Sequence, residues 1–298
     1  MKRIDQRIIN LYDAFTHGAM PRREFVAQLA RLAGGMSAAL ALVPLLENDY
    51  SAAGIPAPED ESIETDRVEY PGASGRMRAY LARPAGNGRH PAVVIIHENR
   101  GLNPHIEDVA RRAAAAGFLA CAPDALSPLG GTPADADAAR EMIGKLDAAL
   151  TERDFMASLN FARDHAGSTG SVGCVGFCWG GGMANRLAVA SPFLAAAVAF
   201  YGRQAPVEDV PKIRAALLLH YAGKDERINA GIADYEAALK KASVRYELHM
   251  YQGVQHAFHN DTNAARYDEA AAKLAWKRTI EFLERHLRDA GRKPDETK

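Results

Sequence analysis

The run GFCWGGGM, residues 176–183, is the part of the sequence best suited to do chemistry. Glycines stand two positions before and after Cys178, between an apolar run and a helix-like run. A strand that turns this sharply into a helix requires positive φ at its central residue and glycine wherever a side chain would clash. The corner lifts the sulfur above the sheet and aims the N–H of Trp179 at the group attacked. It predicts a cysteine nucleophile; the alternative is a glycine-rich turn around a packing cysteine.

Two later residues have the types and positions that such a nucleophile needs. Asp225 follows the apolar run AALLLHYAG, and His256 follows YELHMYQG. A nucleophile on this kind of corner uses an acid and then a histidine, each in a loop after a later strand. The carboxyl ends of parallel strands lie at one edge of a sheet, so the three side chains are expected to meet there. The sequence predicts a triad of Cys178, His256 and Asp225, against the alternative of a turn aspartate and a surface histidine.

The elements that must position these residues alternate between strand and helix from residue 68 onward. PAVVIIH is a continuous apolar run typical of a parallel strand buried on both faces. The alternation predicts an α/β fold of the α/β-hydrolase type, with a mostly parallel central sheet and helices on both faces. One helical region is expected from about residue 134 to 165. The run SAAGIPAPEDESIE is linker-like, so we expect an N-terminal helical extension and linker over residues 1–62 and a hydrolase domain over residues 63–298.

Composition restricts the class of partner. Lys and Arg number 36 against 37 Asp and Glu in 298 residues, giving a net charge of −1. A chain with no global positive field is not expected to bind nucleic acid, so a small-molecule partner is expected, with a homo-oligomer allowed. Three cysteines do not make a disulfide framework, and Cys121 and Cys174, inside apolar strands, are predicted to be packing thiols. No run reaches the roughly 20 uninterrupted apolar residues of a membrane span.

The segment from residue 20 to residue 46 has two interpretations. Arg22 and Arg23 precede an apolar stretch, which is the pattern of a twin-arginine export signal and would place the protein in the periplasm. However, about twenty residues precede the pair, and Arg31 interrupts the apolar stretch. Retained helices in a cytoplasmic protein are therefore the favoured interpretation.

From residue 68 to residue 287 the chain resembles the dienelactone hydrolase family, the carboxymethylenebutenolidases, of the α/β-hydrolase fold. The resemblance is carried by HENRG, GFCWGGGM, GKDERI and QHAFHN. A cysteine at the corner separates this family from most serine esterases of the fold. The resemblance implies that Glu98 holds the thiol until substrate arrives, and that the backbone N–H of Asn99 completes an oxyanion hole. It implies no cofactor.

The substrate pocket is less determined than the catalytic residues. Well-known members of the family carry an arginine directly after the His-x-Phe motif, where this chain has His and Asn. Arg100 is a candidate substitute anion binder or a support for Glu98. Arg140 lies in the region of a second family arginine. Tyr201 and Arg203, in AFYGR, are candidate pocket residues, with packing as the favoured alternative.

The expected activity is the opening of lactones or the cleavage of activated esters through a cysteinyl thioester. A general carboxylesterase or acyl-thioester hydrolase with another substrate is a second hypothesis. A non-catalytic binding protein on the same fold is a third, which an intact triad disfavours. The spacing of His249, His256 and His259 matches no zinc pattern, so no metal site is predicted.

Overall fold

A single eight-stranded sheet organises the molecule, whose computed structural model describes residues 4–18, 20–50 and 60–288. The strand order is β1-β2-β4-β3-β5-β6-β7-β8. β1 and β2 form an antiparallel edge, and the six strands β3 to β8 are mutually parallel. The strands are β1 Ile63–Pro71, β2 Arg76–Pro84, β3 His90–Ile96, β4 Leu119–Pro123, β5 Ser168–Phe177, β6 Ala196–Phe200, β7 Ala216–Ala222 and β8 Tyr246–Tyr251.

Ten α-helices accompany the sheet in the described residues. They are α1 Gln6–His17, α2 Arg22–Ala33, α3 Met36–Leu46, α4 Pro104–Ala115, α5 Ala136–Gly144, α6 Ala148–Asp164, α7 Trp179–Ala190, α8 Glu226–Asn229, α9 Ile232–Lys241 and α10 Glu269–Leu283. The single helical region expected from residue 134 to 165 is therefore two helices. The chain breaks because Asp147 caps a new helix, its carboxylate accepting hydrogen bonds from the N–H groups of Ala149 and Leu150.

The sheet is buried on both faces, as the apolar runs predict. In β3 the side chains of Ala92, Val94 and Ile96 join a core with α6 and α7, whereas Val93 and Ile95 join the opposite core with α4 and α10. Successive side chains of a strand point to opposite faces, so a strand with helices on both sides must be apolar at every position. The α/β architecture with a mostly parallel sheet is confirmed.

Helices α1 to α3 form a third apolar cluster against the rest of the fold. Phe15 and Phe25 are fully buried in it, with their rings stacked at 4.5 Å between centroids. Polar contacts join the cluster to the rest: Gln6 hydrogen bonds with Gln255, and Asn263 donates to the carbonyl of Leu46. Most of the predicted linker lies outside the described residues.

In the described residues, no helix by itself has the length and apolarity to cross a membrane. Only α2 and α3 taken together meet that criterion, by length and composition, and their axes bend by 113° at the break between them.

Candidate active site

Cys178 occupies the corner between β5 and α7 in a strained backbone conformation. Its φ is 55° and its ψ −111°, and it is the N-cap residue of α7. This confirms the positive φ predicted from the glycine pattern. Such a conformation costs a non-glycine residue about 1–3 kcal/mol, so the surrounding structure must hold it in place. The corner places the sulfur at the positive end of a twelve-residue helix.

The glycines on each side of the corner are required by close approach of backbone atoms. A Cβ at Gly176 would lie 1.9 Å from the carbonyl oxygen of Gly180. A Cβ at Gly180 would lie 2.4 Å from the carbonyl oxygen of Ile96 and 2.5 Å from that of His97. The first turn of α7 therefore packs directly on the ends of β5 and β3, which only glycine permits at these positions.

Asp225 and His256 meet at the carboxyl edge of the sheet. Asp225 follows β7 and His256 follows β8, and Nδ1 of His256 donates to Oδ2 of Asp225 at 2.5 Å. Both side chains are buried. Burial by itself would lower the pKa of His256, but the charges of Cys178 and Asp225 outweigh it and raise that pKa from 6.5 to about 9. The pair therefore forms an oriented imidazole with an anionic partner behind it.

The sulfur of Cys178 lies beside this imidazole. Sγ and a ring nitrogen of His256 are within 4.8 Å of one another, and Nε2 of His256 has no hydrogen-bond partner in the described structure. Tyr201 and Ala257, next to the site, also have positive φ, at 40° and 63°. Three of the four described non-glycine residues with positive φ therefore lie at the site or next to it.

Two backbone N–H groups beside the sulfur have no acceptor among the described residues. They belong to Trp179 and Asn99, which line the same cavity as Cys178. The Trp179 ring stacks on His97 at 5.3 Å between centroids, which fixes the start of α7 against the end of β3. Free N–H donors next to a nucleophile are what an oxyanion hole needs.

Glu98 and Arg100 are placed differently from what the sequence suggested. The carboxylate of Glu98 accepts from the amide of Asn260 at 2.8 Å and from the hydroxyl of Tyr201 at 3.4 Å, rather than from the thiol. Arg100 is buried and does not line the cavity. It contacts the hydroxyl of Tyr12 at 3.3 Å and the carboxylate of Asp137 at 3.5 Å. The N-terminal helices cover Arg100, so it is not available as an anion binder.

His17 contacts the sulfur directly, which the sequence analysis did not anticipate. Its Nε2 lies 3.1 Å from Sγ of Cys178, and its ring meets the ring of His256 edge-on at 4.6 Å between centroids. His17 is the last residue of α1, so the N-terminal helices form part of the site. The amphipathic pattern of α1 indicates a helix that docks through its apolar face, but nothing in it specifies the docking position.

A cavity of about 1110 Å³ opens from the sulfur. His17, His256, Tyr201 and Arg203 line it, together with basic side chains from several elements: Arg140, Arg186, Lys212 and Arg227. A cavity of this size accommodates a small organic molecule.

Most of these cations already have partners. Arg186 pairs with Glu152 at 2.7 Å and Lys212 with Asp209 at 2.6 Å. Arg140 donates to the carbonyl of Phe15 at 2.5 Å. The exposed side chain of Arg203, in contrast, makes no hydrogen bond or ion pair with any residue in the described ranges.

One set of side chains has the composition of a metal site. His17, Cys178 and His256 each offer a ligand atom, and the three atoms lie within 4.8 Å of one another. Imidazole nitrogen and thiolate sulfur are ligands that zinc and copper accept. His249 and His259, weighed with His256 in the sequence, are not part of this set.

Comparison with known proteins matches two parts of the chain to different family models. The model of the dienelactone hydrolase family matches residues 77–287, and a YqhI-like model matches residues 1–35. A Bradyrhizobium protein named "Probable 2-oxo-3-(5-oxofuran-2-ylidene)propanoate lactonase" is 34% identical over 76% of this chain and 96% of its own. A Yersinia pestis protein named "Putative carboxymethylenebutenolidase" is 31% identical over 80% of this chain and 95% of its own.

A solved structure gives the same result for the fold. A Klebsiella pneumoniae protein named "Putative Dienelactone Hydrolase" superimposes with a TM-score of 0.68 and 29% identity, over 75% of this chain and 99% of its own.

Proposed function

The chain belongs to the dienelactone hydrolase family, and from that premise we propose that it opens lactones or cleaves activated esters through a thioester on Cys178. The observation that carries the proposal is the strained Cys178 corner within 4.8 Å of an imidazole whose other nitrogen is held by Asp225. A cysteine that only packs has no need of either feature. Members of this family are hydrolases that act on small molecules.

In the acylation half of the reaction, the sulfur of Cys178 attacks the carbonyl carbon of the substrate. The carbonyl oxygen becomes an oxyanion, which the free N–H groups of Trp179 and Asn99 stabilise. The bond from carbon to the leaving oxygen then breaks, and that oxygen takes up the proton that the thiol has given up. In a lactone the leaving oxygen stays attached to the acyl group through the opened ring.

In the deacylation half, His256 takes a proton from water as the water oxygen attacks the thioester carbon. The sulfur–carbon bond breaks, the carboxylic acid leaves, and the sulfur recovers a proton from His256. Asp225 holds the imidazole with Nδ1 protonated, so that Nε2 is the basic nitrogen. Glu98 supports Tyr201 and Asn260 in this scheme, because reaching the thiol would require it to leave both.

We infer a carboxylate-bearing lactone as the favoured substrate class. Arg203 lines the cavity and has no protein partner among the described side chains, so it is available to pair with a substrate anion. The Bradyrhizobium relative carries the name of a lactonase that acts on such an acid. Faster turnover of the uncharged methyl ester of the same lactone would instead favour a general carboxylesterase.

Formation of an acyl-enzyme tests the proposed function. Wild-type protein mixed with excess 4-nitrophenyl acetate should release a burst of about one equivalent of nitrophenolate and gain one acetyl group on Cys178. Cys178→Ala should show neither, whereas Cys174→Ala, which removes a buried thiol of β5, should keep both. Absence of a thioester in the wild-type protein would contradict the proposal.

We also propose that α1 to α3 stay with the hydrolase fold and that the protein acts in the cytoplasm. The support is that Arg22, the first of the two arginines, pairs with Asp137 at 2.6 Å and with Glu47 at 2.8 Å. An export signal cleaved after the apolar stretch would remove His17 from the site, so the intact mass of protein purified from cells distinguishes the alternatives.

A further inference from the structure

We propose that His17, with Asp13 behind it, is a second general base of the site, which takes the thiol proton of Cys178 during acylation and leaves deacylation to His256. This inference rests on the function proposed above. It gives the N-terminal helix α1 a catalytic residue.

The contact between His17 and the sulfur is direct. Nε2 of His17 lies 3.1 Å from Sγ of Cys178, within hydrogen-bond distance for sulfur, whereas no hydrogen bond joins Nε2 of His256 to the sulfur. The sulfur is therefore hydrogen bonded to the histidine of α1 and not to the histidine of the predicted triad. A general base must lie within reach of the proton it abstracts, and His17 satisfies that condition first.

The hydrogen bonds of His17 determine which of its nitrogens is basic. Nδ1 lies 3.0 Å from the backbone oxygen of Asp13 and 3.1 Å from its Oδ1, and both of these atoms only accept hydrogen bonds. The hydroxyl of Thr16 donates to the same backbone oxygen, so its proton is already used. Nδ1 therefore carries the proton, and the lone pair of Nε2 faces the thiol.

Asp13 lies behind His17 as Asp225 lies behind His256, but the hydrogen bond of His17 goes to the backbone oxygen of Asp13. Oδ1 of Asp13 lies 3.1 Å from Nδ1 of His17, and its Oδ2 lies 3.6 Å from Nε of Arg227. Asp13 is therefore an anion behind the imidazole. The result is two Asp–His pairs beside one thiol, which has only one proton to give.

Two hydrogen bonds from the hydrolase fold hold the end of α1 beside the sulfur. The side-chain amide of Asn99 donates to the carbonyl of Thr16 at 2.7 Å, and Arg140 donates to the carbonyl of Phe15 at 2.5 Å. These carbonyls belong to the last turn of the helix, which has no intrahelical donors for them. Two donors from the cavity wall thus fix the position of His17.

One proton passes from the thiol to the leaving oxygen during acylation. The S–H proton of Cys178 moves to Nε2 of His17, and the resulting thiolate attacks the substrate carbonyl. When the carbon–oxygen bond breaks, the leaving oxygen takes that proton back from His17, which becomes neutral again. In deacylation, where the acylated sulfur no longer carries a charge, His256 accepts the proton of the attacking water and returns it to the departing sulfur.

The decisive experiment separates the two half-reactions with 4-nitrophenyl acetate and intact-protein mass spectrometry. His256→Gln should still acylate Cys178 and accumulate the thioester, because His17 remains to take the thiol proton. His17→Gln should acylate about 10²-fold more slowly and accumulate none, since the loss of a general base typically costs about 10²- to 10⁴-fold. The double variant should not acylate.

Three controls test whether His17 acts as a base or only holds α1 in place. Gln6→Ala removes a docking contact at the end of α1 opposite His17 and should acylate within about twofold of wild type. Added imidazole should restore acylation to His17→Ala, because it enters the space left by the side chain, which a merely displaced helix would not allow. Dialysis against EDTA should leave wild-type acylation unchanged.

The inference is overturned if His17→Gln acylates at the wild-type rate, if His256→Gln acylates no faster than the double variant, if imidazole restores nothing, or if EDTA abolishes wild-type acylation. In each case a thioester on the untreated wild-type protein would leave the proposed function standing. Absence of that thioester would instead sink the proposed function itself.

Discussion

At the scale of single residues, charge pairing determines which side chains of the cavity are available to a ligand. Arg186 and Lys212 are held by acidic neighbours, and Arg140 is used to hold α1. Arg203 alone among these cavity cations has no such contact in the described chain. An unpaired guanidinium in a cavity wall can form two parallel hydrogen bonds with a carboxylate, which gives both affinity and orientation.

We expect Arg203→Gln to raise the KM for a carboxylated lactone about tenfold, equivalent to about 1.4 kcal/mol, and to leave the KM for its methyl ester nearly unchanged. Steady-state kinetics with both substrates measure the difference. Arg186→Gln is the matched control, and its effect should be smaller because that guanidinium is already paired with Glu152. Equal effects of the two variants would argue against a carboxylate site at Arg203.

The residues of the site differ in how far the sequence predicts them. Cys178 is recognisable because the glycines that its corner requires are its neighbours in the chain. Asp225 and His256 are recognisable because strand order in an α/β sheet fixes where their loops emerge. His17 was not predicted, since it lies 161 residues from the sulfur and reaches it only through the packing of one helix on another. The burial of Arg100 was not predicted for the same reason, because its contact with Tyr12 of α1 leaves no local signal.

At the scale of elements, the site depends on how closely α7 approaches the strands below it. Gly180 sits against the carbonyls that end β3, with no room for a side chain. Gly182 lies two residues further along the same helix, and a Cβ added there would have no neighbouring atom closer than 3.7 Å. Two glycines of one helix therefore have different physical roles, which composition alone does not distinguish.

We expect Gly180→Ala to lower the free energy of unfolding by about 1–3 kcal/mol, because a methyl group forced into packed backbone displaces α7. Esterase turnover should fall with it, since the displacement moves Cys178 and the N–H of Trp179. Gly182→Ala is the matched control and should be as stable as wild type or more so, because alanine favours helix by about 1 kcal/mol. Urea denaturation of both variants measures this; equal stability would contradict the close-approach argument.

At the scale of the whole molecule, the N-terminal helices and the hydrolase fold share the site and are joined by packing. The alternation of strands and helices predicts the sheet and its two covering layers, because period and length are local properties. The placement of α1 to α3 is a tertiary property, determined by a separate apolar cluster and by contacts such as Arg266 over the ring of Tyr12 at 5.0 Å.

We expect Phe15→Ala to lower the free energy of unfolding by about 3 kcal/mol, the usual cost of emptying a buried aromatic site, and to reduce acylation because α1 loses its fixed position. Leu40→Ala on α3 is the control, since that side chain is 58% exposed. Thermal denaturation should show one transition in wild type. Two separate transitions, with Phe15→Ala shifting only one of them, would show that the helices fold independently.

The contact of His17 with Cys178 depends on residues that are made long after α1. Residues 6–17 leave the ribosome well before residues 255 and 266, which form part of their docking surface. A chain synthesised only as far as residue 178 therefore carries both the thiol and the helix with its histidine, but it lacks residues that hold the two in contact. We therefore expect the acylating centre to assemble only after residue 266 has left the ribosome.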